Sequence, residues 1–503
     1  MAWTPAEAAA DAPDPIAAKA EAQRPFAPAD RAQLDRSLAH GIAWTAGVKW
    51  TSQVLSWAST LIVARLLIPE DYALVNMATV YLGLVQLLNE FGLGSAVIQH
   101  HDLTDDQVAQ VSGMCVLFGL GAFALSCLAA VPLARFYDAP ALTWVVIVMS
   151  VNFIITGFRT VPISLMQRDL QFRVLAYNDG MQALILSVAM VVFAALGLRY
   201  WTLVIGAVLS SLLSTLFAYV QRPHGVRWPR VREIRKAMTF GGHVVVSRVA
   251  WYTYQNADFV VAGKMLGKAA LGAYSFGWSL ASIPIQKVNA TVGRVTGSIF
   301  AAVQEDHAAV RRYLTLITEG LALLTLPASI GMGLVAPEFV ALALGPKWAE
   351  AVAPLQLLAL YAAYRSIVTP LPQVVLAVGL SKEGAKISAM SAVVLPIAFV
   401  VGSRWGPAGI AAAWIIVYPI VTLPLYVLVF RRIGMTVREY AGALWPAVSS
   451  VLIMAAGVWL VRGAVPARWP LAARFALPVA TGALLYPGAL LVLHRERVRT
   501  VRA

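Results

Sequence analysis

Five cations occupy positions where a cation is expensive. Lys49, Arg248, Lys287, Arg294 and Arg365 fall inside long apolar stretches, and a charge at a bilayer centre costs of order 2.5 to 3.5 kcal/mol on insertion scales. They outnumber the anions placed in the same way, Glu90, Asp258 and Glu319. An excess of positive charge inside apolar surroundings calls for an anionic ligand, and a pyrophosphate or an acidic sugar fits. Arginine offers phosphate oxygens a planar two-pronged donor, and lysine offers a mobile point charge. Glu90 and Asp258 have two readings: coupling to a proton or sodium gradient, or structural ion pairing, for example of Arg248 with Asp258.

Polar residues extend these positions into stripes. Asn76, Thr79, Gly83, Gln86 and Glu90 recur every three or four residues, and Lys49, the adjacent pair Ser52 and Gln53, Ser56 and Thr60 follow the same helical spacing, so each set shares one helix face. Ser247, Arg248, Trp251, Tyr254, Gln255 and Asp258 form a third face, and Lys287, Thr291 and Arg294, close to Asn289, a fourth. Gln53, Asn76, Gln86, Gln255 and Asn289 are the expected polar lining of a cavity, with the five cations as its anion-binding groups. Arg65 and Lys264 stand near helix ends, where snorkelling to the interface is the simpler reading.

The rest of the chain must hold these stripes inside a membrane. Of its 503 residues 59% are hydrophobic and 13% charged, and the mean hydropathy of +0.72 is far above that of a soluble domain. About fourteen apolar stretches, each long enough to cross about 30 Å of hydrocarbon, succeed one another between residues 39 and 493. The expected fold is an all-α membrane protein of about 14 transmembrane helices, with two pseudosymmetric six-helix lobes and two C-terminal helices. Residues 1–36, rich in Ala, Pro and charge, read as a disordered cytoplasmic tail without a signal-peptide core. The lobes are expected over 37–221 and 237–430, the basic linker over 222–236, and the added helices and basic tail over 431–503.

The net charge of +14 follows topology and does not suggest nucleic acid. Arg168, Arg173, Arg222 to Lys236, Arg311, Arg312, Lys382, Lys386, Arg431, Arg432 and Arg438 fall in every second loop, which the positive-inside rule places in the cytoplasm together with both termini. An offset of 199 residues pairs Lys49 with Arg248, Arg65 with Lys264 and Leu67 with Leu266, a half-to-half repeat of the kind found in transporters.

Two segments resemble a known family. Residues 64–72, ARLLIPEDY, continuing to 91–99, FGLGSAVIQ, resemble the start of Wzx-type bacterial polysaccharide exporters, members of the multidrug/oligosaccharidyl-lipid/polysaccharide flippase superfamily. Residues 161–173, VPISLMQRDLQFR, look like the loop after the fourth helix in the colanic-acid-exporter-like branch. Ala73 stands where that family usually has Gly. The resemblance, over roughly residues 38–440, implies two lobes around a cationic cavity, alternating access and an undecaprenyl-pyrophosphate-linked oligosaccharide as cargo. It further implies the bacterial inner membrane as location, with a polysaccharide polymerase and an export complex as partners.

Other chemistries find little support. His100, His101 and Asp102 lack further metal ligands nearby, and Cys115 and Cys127 read as small apolar filler. No Walker loop, G-x-S-x-G or H-E-x-x-H occurs, so no catalytic residue, metal or cofactor is expected. A multidrug cation exporter of the same superfamily would want an acidic interior. A polysaccharide polymerase or glycosyltransferase would want a large external loop or an acidic metal-binding motif, and a scaffold would not need polar stripes in both halves.

Overall fold

The computed structural model describes residues 51–89, 93–99, 103–230 and 242–495, and among these no strand occurs. Helices follow from the solvent: without water, each backbone N–H and C=O must be satisfied within its own segment. The order is α1 (51–66), α2 (Pro69–Asn89), the short α3 (Leu93–Gln99), α4 (Asp105–Phe136), α5 (Leu142–Arg168), α6 (Phe172–Ala195) and α7 (Trp201–Gln221). Past the linker come α8 (Gly242–Val261), α9 (Gly267–Ala302), α10 (His307–Phe339), α11 (Val352–Val368), α12 (Leu371–Ala377), α13 (Ser381–Gly402), α14 (Gly406–Ile433), α15 (Val437–Ala464) and α16 (Leu471–Leu493). Single π-turns follow α8 at Ala262–Leu266 and α10 at Val340–Leu344.

Nine described stretches are long and apolar enough to cross a membrane, one of them running through both α13 and α14. The chain is a multi-pass membrane protein. By that measure the expected stretches at α1, α2, α8 and α9, which adjoin residues or carry side chains outside those described, are not among the nine. α2, α8 and α9 carry polar stripes, which give the protein something to line a cavity with. One apolar stretch, Pro346–Ala377, contains both α11 and α12, which are divided at Thr369 and Pro370. Pro396, Pro419 and Pro424 stay inside uninterrupted helices.

Helix contacts depend on small residues, as expected where lipid removes the hydrophobic drive between helices. A Cβ on Gly119 would lie 2.4 Å from the Phe153 carbonyl oxygen, and one on Gly157 2.8 Å from that of Cys115, so α4 and α5 touch backbone to backbone. Cys115 is buried in that seam, and Cys127 is half-buried; both are free. α2 packs against α8 and α9 across the middle of the protein, whereas α16 lies on α15 and α10 with Leu484, Leu491 and Val492 turned outward.

The start of the linker is a strap fastened to α4. The Arg227 N–H donates to the Ala109 carbonyl at 2.9 Å, the Arg230 N–H to Gln110 Oε1 at 3.1 Å, and the Arg227 guanidinium pairs with Asp106. Gly113 is required beneath it, since a Cβ there would sit 1.8 Å from the Arg227 carbonyl oxygen. His224 completes the fastening. Its Nδ1 lies 3.3 Å from the Arg222 carbonyl, which can only accept, so Nε2 takes the Ser112 hydroxyl proton at 3.0 Å in the neutral ring.

Burial holds the His224 pKa below its ordinary 6.5, against a smaller opposing effect of the Arg222 carbonyl. The unfastened strap therefore binds a proton more readily, and the fastening weakens as pH falls through and below 6.5. Hydrogen exchange at the Arg227 amide should accelerate over that range beyond its intrinsic pH dependence, and His224→Gln should flatten the response. Gly113→Val should release the strap at every pH, at a cost of about 1 to 3 kcal/mol.

Candidate functional site

A cavity of about 300 Å³ opens among α8, α9 and α11. α8 contributes Trp251, Tyr252, Gln255, Asn256 and Phe259, which at spacings of three and four share one face. α9 contributes Trp278, Ser282 and Gln286, and α11 contributes Tyr361 and Arg365, one turn apart. The Arg365 guanidinium carbon stands 5.8 Å from the Trp278 ring centroid, in the range of a cation–π contact. Behind it the rings pack into a wall, Trp278 on Tyr361 at 5.6 Å and Tyr361 on Trp414 at 4.6 Å. No carboxylate or carbonyl among the described residues accepts a hydrogen bond from the Arg365 guanidinium, and the Tyr361 hydroxyl is buried without a partner. A cation and a hydroxyl left unsatisfied beside a cavity are groups a ligand can satisfy.

Asp258 lies one turn from Gln255, fully buried. Its Oδ2 accepts from the Tyr274 hydroxyl at 2.7 Å and from Trp414 Nε1 at 2.9 Å, and its Oδ1 from the Phe259 N–H at 2.9 Å. Neutral donors thus hold the carboxylate, which attracts Arg365 only through space. The suggested pairing with Arg248 falls on a side chain outside the described residues; ten residues of α8 separate the two backbone positions by about 15 Å.

The structure brings Gln255 and Arg365 together, with Asp258 behind them. Asn76, Gln53 and Gln86 lie outside this cavity: Asn76 is half-buried on α2 with an unpartnered Oδ1, and Gln53 and Gln86 are half-buried with contacts of their own. Lys49 and Glu90 lie outside the described residues; so do the side chains of Arg248 on α8 and of Lys287, Asn289 and Arg294 on α9. Tyr361, Asn256 and Gln286 are lining residues that the sequence reading missed. Their signal is weak, because a tyrosine in an apolar helix reads as core and Asn256 and Gln286 sit one residue off the stripes.

The two halves of the chain meet at the level of Tyr252, whose hydroxyl donates to the Val80 carbonyl at 3.1 Å. They meet again at the end away from the linker. Arg65 Nε donates to the Ala343 carbonyl at 2.9 Å and its Nη2 to that of Leu342, which end the π-turn after α10. Lys347 Nζ donates to the Arg65 carbonyl at 2.6 Å and Trp348 Nε1 to the Ala64 carbonyl at 2.9 Å. The contacts recur with the halves exchanged. Lys264 bonds Asp138 just past α4 at 3.0 Å, and a Cβ on Gly263 would lie 2.9 Å from the Tyr137 ring. Arg65 and Lys264, expected to snorkel, instead reach across to the opposite half.

Comparison with known proteins bears on this arrangement. The model of a family described as polysaccharide biosynthesis protein matches residues 62–353. The teichuronic acid biosynthesis protein TuaB of Bacillus subtilis (strain 168) is 26% identical over 350 residues, 66% of this chain and 71% of that one. The lipopolysaccharide biosynthesis protein WzxC of Escherichia coli (strain K12) is 23% identical over 420 residues, 79% of this chain and 83% of that one. Among solved structures, the lipid II flippase MurJ in an inward closed conformation superposes with a TM-score of 0.70, covering 91% of this chain and 100% of that one at 12% identity. At that identity the likeness speaks for the fold. With more than half of its length matched by the family model, the chain belongs to the polysaccharide biosynthesis protein family.

Proposed function

We propose that this protein is a flippase that moves a lipid-linked oligosaccharide across the bacterial inner membrane for exopolysaccharide or O-antigen biosynthesis. The cargo proposed is a repeat unit on undecaprenyl pyrophosphate. The observation that carries this reading is the Arg365 guanidinium, stacked on Trp278 at the wall of the cavity and lacking an acceptor among the described residues. It supplies the charge that a pyrophosphate or acidic sugar needs, while the aromatic and amide side chains around it suit sugar rings. The names of the relatives agree: TuaB is a teichuronic acid biosynthesis protein, WzxC a lipopolysaccharide biosynthesis protein, ExoT of Rhizobium meliloti (strain 1021) a succinoglycan biosynthesis transport protein, and MurJ a lipid II flippase.

In this reading the cargo headgroup enters from the cytoplasmic side between lobes 37–221 and 237–430, with both termini cytoplasmic and the lipid tail left in the bilayer. The bonds of Arg65, Lys347 and Trp348 then close the outer end, which makes the described state inward-facing. A proton or sodium gradient is proposed as the drive. Asp258, held by three donors, suits a structural role better than a coupling one. A polymerase and an export complex are proposed as partners. The reading as a multidrug cation exporter is disfavoured, because the charged group on the cavity wall is a cation.

The test is an in-frame deletion with extraction of lipid-linked oligosaccharides and assay of surface polysaccharide. Accumulated lipid-linked repeat units and absent polymer, both reversed by the wild-type gene, are expected. Normal polymer without accumulation, in a strain lacking any second flippase, would overturn the proposal.

A further inference from the structure

At the linker end, α10 and α15 begin side by side around a recess of about 790 Å³. Its floor is made of Ala308, Gly442 and Ala443, residues too small to fill it, and Arg311, Arg312 and Arg438 stand around it. The one carboxylate present is already engaged: Glu439 accepts from the Thr436 N–H at 2.9 Å and caps α15. Arg311 is likewise engaged, donating to the Gly434 carbonyl at 2.9 Å and closing the turn after α14. Arg312 and Arg438 are exposed and have no acceptor among the described residues. The recess therefore holds two free guanidinium groups and, with Arg311 counted against Glu439, a net positive charge of about two.

An apolar margin adjoins this charge. Leu316, one turn beyond Arg312, is 53% exposed, and Trp445, seven residues and so two turns beyond Arg438 on the same face, is 59% exposed. A cationic recess above an outward-facing Leu and Trp has the polarity profile of a lipid interface, where Trp sits at headgroup depth. A soluble phosphate would need the arginines but not that margin.

We propose that this recess binds the phosphate of an anionic phospholipid from the leaflet at the linker end, with the acyl chains lying along Leu316 and Trp445. The site is separate from the cavity at Arg365 and does not rest on the cargo reading. It anchors the first turns of α10 and α15 in the headgroup layer.

The test is native mass spectrometry of the detergent-purified full-length chain titrated with phosphatidylglycerol or, separately, phosphatidylcholine. Arg312→Gln/Arg438→Gln is compared with wild type, and Arg312→Lys/Arg438→Lys is the charge-retaining control. About thirtyfold weaker phosphatidylglycerol binding is expected for the glutamine variant, from the worth of two cations at a membrane surface. Phosphatidylcholine binding should be equal in all three, and the lysine variant should retain most of the preference. Equal phosphatidylglycerol binding by wild type and the glutamine variant would overturn the site. Displacement of the lipid by micromolar sodium pyrophosphate would overturn the lipid assignment in favour of a soluble phosphate. If the glutamine variant does not fold, wild-type binding of both lipids alike overturns the proposal, and preference for phosphatidylglycerol that resists pyrophosphate supports it.

Discussion

Replacing Arg365 with alanine is expected to cut polysaccharide export about a hundredfold at equal protein level, with lipid-linked repeat units accumulating. A hydrogen bond between a charged donor and an anion is worth about 1.5 to 3 kcal/mol, and a two-pronged guanidinium contact makes two, so a loss near 3 kcal/mol, about a hundredfold, is a conservative figure. Arg365→Lys keeps the charge but loses both the fork and the planar face that stacks on Trp278, so an intermediate loss is expected. Arg365→Gln keeps a hydrogen-bonding amide on a shorter side chain without the charge and should resemble alanine. That ordering separates recognition of an anion from simple packing, which Lys and Gln would preserve about equally. The chain carrying Arg365→Ala must also still bind detergent-solubilised neutral glycolipid as wild type does, since the Trp278 and Tyr361 wall remains. Export at the wild-type level in the alanine variant would remove Arg365 from the cargo site and leave Lys49, Arg248, Lys287 and Arg294 to account for it.

Arg365 and Gln255 were legible in the sequence because charge and amide inside an apolar stretch have few innocent explanations. Tyr361 was not, although it sits one turn from Arg365 with its hydroxyl unpartnered, because nothing in the chain distinguishes it from the core tyrosines. The 199-residue offset sets Gln86 against Ile285, which lines the cavity beside its polar neighbour Gln286. Asp258 was recognisable as anomalous but not as satisfied, since its acceptance from Trp414 spans 156 positions of sequence. α2, α8 and α9 were legible as helices despite the polar residues they carry.

The same limit explains Arg65, whose partners lie 277 and 278 residues away, and the closure it forms yields the second large effect. Of the contacts that tie the halves at the end away from the linker, three are ranked by their environments. The Lys264–Asp138 pair has side chains 40% and 83% exposed, so its loss should cost well under about 1 kcal/mol. Arg65 spends two donors on carbonyls at the end of a helical segment, where a cation is also favoured by the helix dipole, worth about 1 to 2 kcal/mol. Trp348 is fully buried against Tyr72 and Phe276; Trp348→Phe leaves the Ala64 carbonyl unpaired and a gap in the packing, at about 2 to 4 kcal/mol. If these contacts hold the outer end shut, each variant should raise the population open at that end, in the order Lys264→Ala, Arg65→Ala, Trp348→Phe. The last two should shift it roughly tenfold and at least thirtyfold. A cysteine at Ser275, buried on α9 one turn from the close approach of Gly272 to the Pro69 backbone, reports the change once Cys115 and Cys127 are replaced. Labelling by a membrane-impermeant maleimide applied from the outer side should be negligible in the wild-type background and rise in that order. Uniformly low labelling in all three would mean that backbone packing at Gly272 and Pro69 holds the end closed by itself. Strong labelling in the wild-type background would mean that the outer end is already open in the membrane.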